Sequence, residues 1–272
     1  MNLLSGIIAT LVSFFSCVPE QQKSIVIVSA SYNNAAFYKE NLLSVFNQDY
    51  DNWHLYYIDD CSTDGTGKLV QEFIDEHKMR DKVTLILNKT RQRHLYNQYH
   101  AIARCKNDQI IAILDADDHF AHKHVLSHLN HVYEDPEIWL TYGQYRYSSG
   151  KPGKAAPLSD KMIANNCIRH FKNWTATHLR SFYAGLFKCI KEEDLLFNGR
   201  FFPRCADIST MVPMIEMAGE HAKFIPDVLY VYNDENPIQQ LPEEKQLTIT
   251  CLAEIRKRSN YHRLEIAPYL SR

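Results

Sequence analysis

Alternation between short apolar runs and helical segments constrains the fold of this chain more than any other feature. Four of the apolar runs are rich in β-branched or aromatic residues, as buried parallel strands are. These runs span residues 24–29, 53–58, 83–87 and 109–114. Helical patterning follows the first three runs, over residues 37–46, 64–78 and 96–104. The alternation predicts βαβ units and an α/β fold, with a mainly parallel sheet flanked by helices.

The first residues differ from the rest of the chain. Residues 3–18 carry no charge and consist largely of Leu, Ile, Val and Phe. This run is shorter than the roughly 20 residues of a membrane-spanning helix, and it suits the core of a signal peptide better. We therefore predict that residues 1–19 are a signal or anchor segment, and that the protein is membrane-associated or exported. A segment packed on a cytoplasmic protein is the alternative.

The remainder divides at a loop rich in Ser, Gly, Lys and Pro, over residues 148–157. The sequence thus predicts a first half at 20–147 and a smaller C-terminal lobe at 148–272. The formal net charge is -2, and no long basic run occurs. General binding to nucleic acid through phosphate neutralisation is therefore not expected.

Acidic side chains follow two of the predicted strands. Asp59 and Asp60 follow the second strand, and Asp115, Asp117 and Asp118 follow the fourth. Ligands of parallel sheets bind beyond the carboxyl ends of the strands, so both groups should face one crevice. Crowded carboxylates repel each other, and a hard divalent cation that also binds substrate phosphates would offset this. A solvated acidic loop or a helix cap is the alternative for each group.

Four segments resemble the signatures of family 2 glycosyltransferases, in the same order and at similar spacing. They are the strand and Tyr-Asn turn at 25–34, the segment 44–50, the Asp-Asp-x-Ser-x-Asp-Gly-Thr-like segment 57–66, and the Asp-x-Asp-Asp segment 115–118. The resemblance is strong over residues 24–145 and looser as far as 235. It implies a Rossmann-like fold of the GT-A type, with a nucleotide-sugar-binding half at 20–147 and an acceptor-binding half at 148–272.

The resemblance also implies which residues bind the nucleotide. Ala30 would line the donor site, and Tyr32 would stack on the base or line it. Asp60 would bind the base, through a uracil N–H if the donor is a UDP-sugar. In the segment 88–97, Tyr96 stands where the family has an arginine, so Arg91 or Arg93 would instead supply a cation to the diphosphate, with loop charges in water as an equal alternative.

The same resemblance assigns the metal site. Asp115 would contact the ribose or a metal-bound water, Asp117 would reach the metal, and Asp118 could take either role. The metal, Mn²⁺ or Mg²⁺, would stabilise the diphosphate as a leaving group. Independently of the resemblance, His178 in the segment 174–180 could reach the metal or the diphosphate, or else be a hydrogen-bonded structural residue.

Inverting transfer needs a carboxylate that deprotonates the attacking hydroxyl. The family places this acid in a loop before a helix, and Asp207 fits that place, with a plain helix cap as the alternative. The acidic run 192–194 is a weaker candidate. Trp174 could stack on a sugar, and aromatic residues near Tyr230 could close over the donor.

The sequence therefore predicts an inverting glycosyltransferase of the hexosyltransferase type. The donor would be a nucleotide-diphosphate sugar, with a UDP-sugar favoured, and the acceptor a carbohydrate, lipid-linked or protein hydroxyl. A catalytically inactive nucleotide- or glycan-binding protein of the same fold is the alternative, since Ala30 and the segment 88–97 depart from the family pattern. A nucleotidyltransferase would need a Gly-rich phosphate loop, and residues 29–34 contain no Gly.

Overall fold

The computed structural model describes residues 22–235 and 242–270. Its strands are β1 (Ile25–Ser31), β2 (Trp53–Asp59), β3 (Val83–Leu87), β4 (Ile110–Ile113), β5 (His119–Phe120), β6 (Leu140–Tyr147), β7 (Arg180–Tyr183), β8 (Leu196–Phe197), β9 (Arg200–Phe201) and β10 (Ala222–Tyr232). Its α-helices are α1 (Tyr38–Phe46), α2 (Thr66–Glu76), α3 (His94–Ile102), α4 (Val125–Val132), α5 (Asp160–Ala164), α6 (Ala184–Lys188), α7 (Ala206–Ala218) and α8 (Pro242–Lys257).

Eight strands form one sheet in the order β3-β2-β1-β4-β7-β6-β10-β5. β1 lies between β2 and β4 and is parallel to both, and β3 is parallel to β2. Every residue of β1 is buried, which explains its unbroken run of apolar and small side chains. The prediction of an α/β fold with a mainly parallel sheet flanked by helices is confirmed.

The second half of the chain completes the same sheet. β7 is antiparallel to both β4 and β6, and β10 is parallel to β6. The sequence pattern did not predict β7, because it is only four residues long and begins with an arginine. The boundary predicted at residues 147 and 148 falls at the end of β6.

A buried ion pair anchors α7, the helix that carries Asp207. Arg169 donates to both carboxylate oxygens of Glu216, at 2.9 and 2.6 Å, and the two side chains are 3% and 0% exposed. Arg169 also donates to the carbonyl of Ile255, and the backbone N–H of Tyr261 donates to Glu216. Helix α7 is thereby connected to α8 and to the chain that follows it.

The expectation of membrane association is wrong for the part of the chain that the structure describes. Within residues 22–235 and 242–270, none of the helices is both long enough and apolar enough to cross a bilayer. The segment 1–19, on which the expectation was based, lies outside the described residues.

Breaking the buried ion pair should destabilise the fold. Glu216→Leu leaves the Arg169 guanidinium buried without its counter-ion, so the free energy of unfolding in urea should fall by about 3 kcal/mol or more. The double variant Arg169→Met/Glu216→Leu should recover most of this loss, because apolar replacements of a buried pair often match its stability. Glu72→Gln is the control, because Glu72 forms an exposed pair with Lys68. It should change the free energy of unfolding by less than about 1 kcal/mol.

A loss in Glu216→Leu no larger than in Glu72→Gln would contradict this account of how α7 is held.

Candidate active site

Two loops at the carboxyl ends of β1 and β2 bond to each other and shape one edge of the sheet. Asn33 has a positive φ of 55°, and its side-chain oxygen accepts from the backbone N–H of Thr63 at 2.9 Å. Asp64 accepts from the backbone N–H groups of Ala35 and Thr66, both at 3.0 Å. Asp64 therefore binds backbone N–H groups of both loops, whereas Asp60 faces the crevice.

A cleft of ≈ 190 Å³ lies at this edge, and we call it the strand-end cleft. It contains six of the residues for which the sequence predicted a role at the nucleotide site. These are Ala30, Tyr32, Asp60, Arg91, Arg93 and Asp117. Because they come from the carboxyl ends of four strands and the segments that follow them, the fold is what brings them together.

Asp60 is held by donors from the loop between β3 and α3. Its Oδ1 accepts from Asn88 Nδ2 and from the backbone N–H of Gln92, both at 2.8 Å, and its Oδ2 accepts from the backbone N–H of Arg93 at 2.7 Å. Burial would raise the pKa of Asp60, but these hydrogen bonds outweigh it and hold the pKa below its ordinary value. Asp60 is thus ionised, and its hydrogen bonds fix the loop between β3 and α3 in the absence of a ligand.

Arg91 covers the aromatic ring that was predicted to contact the base. Its guanidinium carbon lies 3.7 Å from the ring centroid of Tyr32, a cation–π contact. A planar base could replace the guanidinium on this ring face, since both stack on aromatic rings.

Three potential metal ligands meet beside the cleft. Ligand atoms of Asp115, Asp118 and His178 lie within 4.8 Å of one another. Asp117 lines the strand-end cleft instead. The structure therefore brings Asp118 and His178 together as the sequence predicted, and it adds Asp115.

The two carboxylates of this cluster differ in charge environment. Asp118 Oδ2 accepts from the Tyr230 hydroxyl at 2.6 Å, and Oδ1 from the backbone N–H of Asn233 at 2.7 Å. Burial, followed by the charges of Asp117 and Asp115, raises the pKa of Asp118 well above its usual range. Burial acts in the same direction on Asp115, but the charges of His94 and Arg180 outweigh it and hold its pKa low.

Arg180 contacts two residues of this cluster, and the sequence did not reveal it. Its Nη2 donates to Asp115 Oδ2 at 3.2 Å and lies 3.3 Å from His178 Nδ1, and its side chain is 5% exposed. Burial would lower the pKa of Arg180, but the carboxylates of Asp115 and then Asp207 raise it. A single arginine at the start of a short, buried strand was the signal that could have identified it.

His94, at the start of α3, is the second residue that was missed. Its Nε2 lies 3.0 Å from Asp115 Oδ1, so Asp115 has a nitrogen group beside each of its oxygens.

His178 is packed as a neutral ring. It stacks on Tyr230 with ring centroids 4.5 Å apart. Burial, together with the nearby charge of Arg180, lowers the pKa of His178 to about 3. A neutral imidazole retains a nitrogen lone pair, which is the form that binds metals.

Asp207 lies in the first turn of α7 and is half-buried. The residue that caps this helix is Cys205, which has φ 59° and makes no side-chain capping bond. Asp207 is near enough to Arg180 to raise its pKa, and Arg180 touches Asp115. The carboxylate cluster and the start of α7 are therefore electrostatically connected.

Two acids of the run 192–194 have partners away from the Asp115–Asp118–His178 cluster. Glu192 accepts from the Tyr99 hydroxyl at 2.9 Å, and Asp194 accepts from the Tyr261 hydroxyl at 2.6 Å.

The chemistry of the cluster fits a divalent cation. Two carboxylates and an imidazole are ligand types that first-row divalent ions accept, and carboxylate oxygens also suit Mg²⁺ and Mn²⁺. Asp115 Oδ1 is buried and makes no hydrogen bond of good geometry with any described residue. Burial, followed by the charges of Asp117 and Asp115, raises the pKa of Asp118, so a nearby positive charge would favour its ionised form.

The part of the chain that contains this site is similar in sequence to known proteins. A family model described as Glycosyl transferase family 2 matches residues 24–193. An uncharacterized glycosyltransferase of Haemophilus influenzae is 29% identical over 123 residues, which cover 45% of this chain and 47% of that protein. The matches span between 33% and 47% of the length of the curated relatives.

Solved structures show a similar fold. TarS 1-349 from S. aureus, in complex with UDP-GlcNAc, has a TM-score of 0.61 and 15% identity, over 86% of this chain and 67% of that chain. The mannosyltransferase PcManGT from Pyrobaculum calidifontis, in complex with GDP-Man and Mn²⁺, has a TM-score of 0.52 and 21% identity, over 78% and 57%. The expected GT-A type of fold is confirmed.

The raised pKa of Asp118 predicts a distinctive dependence of stability on pH. In metal-free buffer, unfolded Asp118 ionises near pH ~3.9, whereas the folded group keeps its proton to higher pH. Stability should therefore fall as pH rises from about 4, by up to about 1.4 kcal/mol per pH unit, until the folded pKa is passed. Asp118→Asn should remove this contribution, so its stability advantage over the wild type should grow with pH, as measured by urea unfolding.

Asp81→Asn, at an exposed aspartate before β3, is the matched control and should follow the wild-type curve. Parallel curves for Asp118→Asn and the wild type would show that Asp118 is not held in its neutral form.

Proposed function

The chain belongs to glycosyl transferase family 2, and from this premise we propose that it is an inverting glycosyltransferase. It transfers a sugar from a nucleotide-diphosphate sugar to a hydroxyl group of a carbohydrate, lipid-linked or protein acceptor. The donor is a UDP-sugar, and the reaction is assisted by a divalent metal ion.

One observation carries this proposal: the strand-end cleft adjoins the Asp115–Asp118–His178 cluster, and Arg180 connects that cluster to Asp207. A nucleotide in the cleft would have its base near Tyr32 and its phosphates toward the acids that follow β4. Asp207 would then face the sugar from the acceptor side. The bound UDP-GlcNAc of TarS and the GDP-Man and Mn²⁺ of PcManGT support a nucleotide-sugar and a metal here.

Asp207 acts as the general base. Its carboxylate takes the proton from the acceptor hydroxyl while that oxygen attacks the anomeric carbon. The new carbon–oxygen bond forms on the face opposite the bond to the diphosphate, which breaks, so the anomeric configuration inverts. The proton remains on Asp207 until it passes to solvent, and the nucleoside diphosphate leaves with the electron pair.

The residues around the leaving group hold and neutralise it. Asp115, Asp118 and His178 would hold the metal ion, with Asp117 facing the donor from the cleft. When bound, the ion supplies Lewis-acid stabilisation to the diphosphate. Arg91 and Arg93 add positive charge from the loop that Asp60 fixes.

Isothermal titration tests the donor site directly. UDP and GDP are titrated into the protein with Mn²⁺ and then with EDTA. We expect UDP to bind at least about tenfold more tightly with Mn²⁺ than without it, because an ion held by Asp115, Asp118 and His178 would add positive charge beside the diphosphate. If Mn²⁺ strengthened the binding of neither UDP nor GDP, the proposed function would be excluded.

Loss of the base should separate binding from catalysis. In Asp207→Asn, donor hydrolysis and transfer should fall by roughly 10²–10⁴-fold, while the affinity for UDP with Mn²⁺ changes little. Donor hydrolysis is followed by release of UDP across a panel of UDP- and GDP-sugars. Asp160→Asn, an exposed acid at the start of α5, is the control.

Full activity in Asp207→Asn would remove Asp207 from the mechanism. Hydrolysis that is absent from the wild type as well, with nucleotide binding intact, would favour the non-catalytic binding protein.

A further inference from the structure

A glutamate from α8 pairs with two arginines inside the strand-end cleft. Glu244 Oε2 lies 2.8 Å from Arg204 Nε, and Glu244 Oε1 lies 3.9 Å from Arg93 Nη1. All three side chains line the cleft, together with Asp117 and Asp60. The side chain of Glu244 is 20% exposed and that of Arg204 is 30% exposed, so bulk water screens the pair only in part.

This pairing leaves hydrogen-bonding capacity unused. Arg204 Nε and Glu244 Oε2 are both buried, yet neither makes a hydrogen bond of good geometry with any described residue. The contact with Arg93 is longer than a hydrogen bond. Arginine binds phosphate oxygens through paired N–H groups, which a single misaligned carboxylate cannot replace.

We propose that Arg93 and Arg204 bind the diphosphate of the donor, and that Glu244 is an internal anion that competes with it. The inference rests on the proposed function for the identity of the ligand, a nucleoside diphosphate. Arg93 follows the loop that Asp60 holds, and Arg204 precedes the turn into α7. A diphosphate that lies between a base at Tyr32 and the Asp115–Asp118–His178 cluster would pass between Arg93 and Arg204.

Competition of this kind makes donor binding an exchange of anions. In the free protein the single negative charge of Glu244 lies between two guanidinium groups and reduces their mutual repulsion. A diphosphate carries more charge and more acceptor oxygens than one carboxylate, so it can displace Glu244, whereas a singly charged anion gains little. The ring face proposed to bind the base is also occupied by a group of the protein, because the Arg91 guanidinium covers Tyr32.

Inorganic pyrophosphate is the probe that isolates this anion site. It is titrated calorimetrically in metal-free buffer, so that neither a base nor a metal contributes to binding. Glu244→Gln should bind it about fivefold more tightly than the wild type, because the competing charge is gone. Arg204→Gln should bind it about tenfold more weakly, and Arg204→Lys should lie between, since lysine keeps the charge without the paired donors.

Glu254→Gln is the matched control. Glu254 is on the same helix, where its ion pairs are with Lys257 and Arg258, and it does not line the cleft. Its affinity for pyrophosphate should equal that of the wild type. Thermal melts of each variant show that the proteins compared are folded.

The outcomes separate this inference from the proposed function. Equal pyrophosphate affinity in Glu244→Gln and Glu254→Gln, or unchanged affinity in Arg204→Gln, overturns the inference even if the wild type binds UDP with Mn²⁺. Tighter pyrophosphate binding in Glu244→Gln supports the anion site, and failure of UDP and GDP to bind in the same preparation would then reject the proposed function alone.

Discussion

The contact between Arg180 and Asp115 is the interaction on which the rest of the site depends. The chain places three carboxylates after a buried strand, where mutual repulsion and loss of water both disfavour ionisation. A buried guanidinium 3.2 Å from Asp115 compensates for that cost. It also explains the position of β7, because Arg180 is the register partner of Ile113, two residues before Asp115. The antiparallel strand in the middle of the sheet is the element that delivers the cation.

Arg180 also divides the acids of the site into different roles. Asp115 is kept ionised beside it, whereas Asp118 is directed toward Tyr230 and Asn233 and tends to keep a proton. Asp207 acts on the same guanidinium from the start of α7. One buried cation thus influences both the acids that follow β4 and the acid that is proposed to activate the acceptor. The Arg169–Glu216 pair fixes the helix on which this relation depends.

The sequence predicted the parts of the molecule that local pattern determines. Burial on both faces gives β1 and β4 their apolar runs, so the strands and the acids that follow them could be located. Arg180 could not be paired with Asp115 in this way, because the two residues are 65 positions apart in the sequence. Arg180 belongs to β7, which lies between β4 and β6 in the sheet but comes from the second half of the chain. The roles of Asp117 and Asp118 were open for a different reason. They are adjacent in sequence, and only the bonds from Tyr230 and Asn233 show that Asp118 points inward.

The charged groups of the strand-end cleft lie beside partners from the protein itself before any ligand arrives. Asp60 accepts three hydrogen bonds from the loop that precedes α3, Arg91 lies on Tyr32, and Glu244 faces two arginines. Leaving such groups buried and unpaired would cost stability, so a preformed site for a charged ligand tends to be occupied by the protein itself. If a nucleoside diphosphate binds here as proposed, the affinity of the cleft is the difference between two sets of contacts. Selectivity would follow from that difference, because the ligand must replace both Arg91 on Tyr32 and Glu244 beside the arginines to gain the full binding energy.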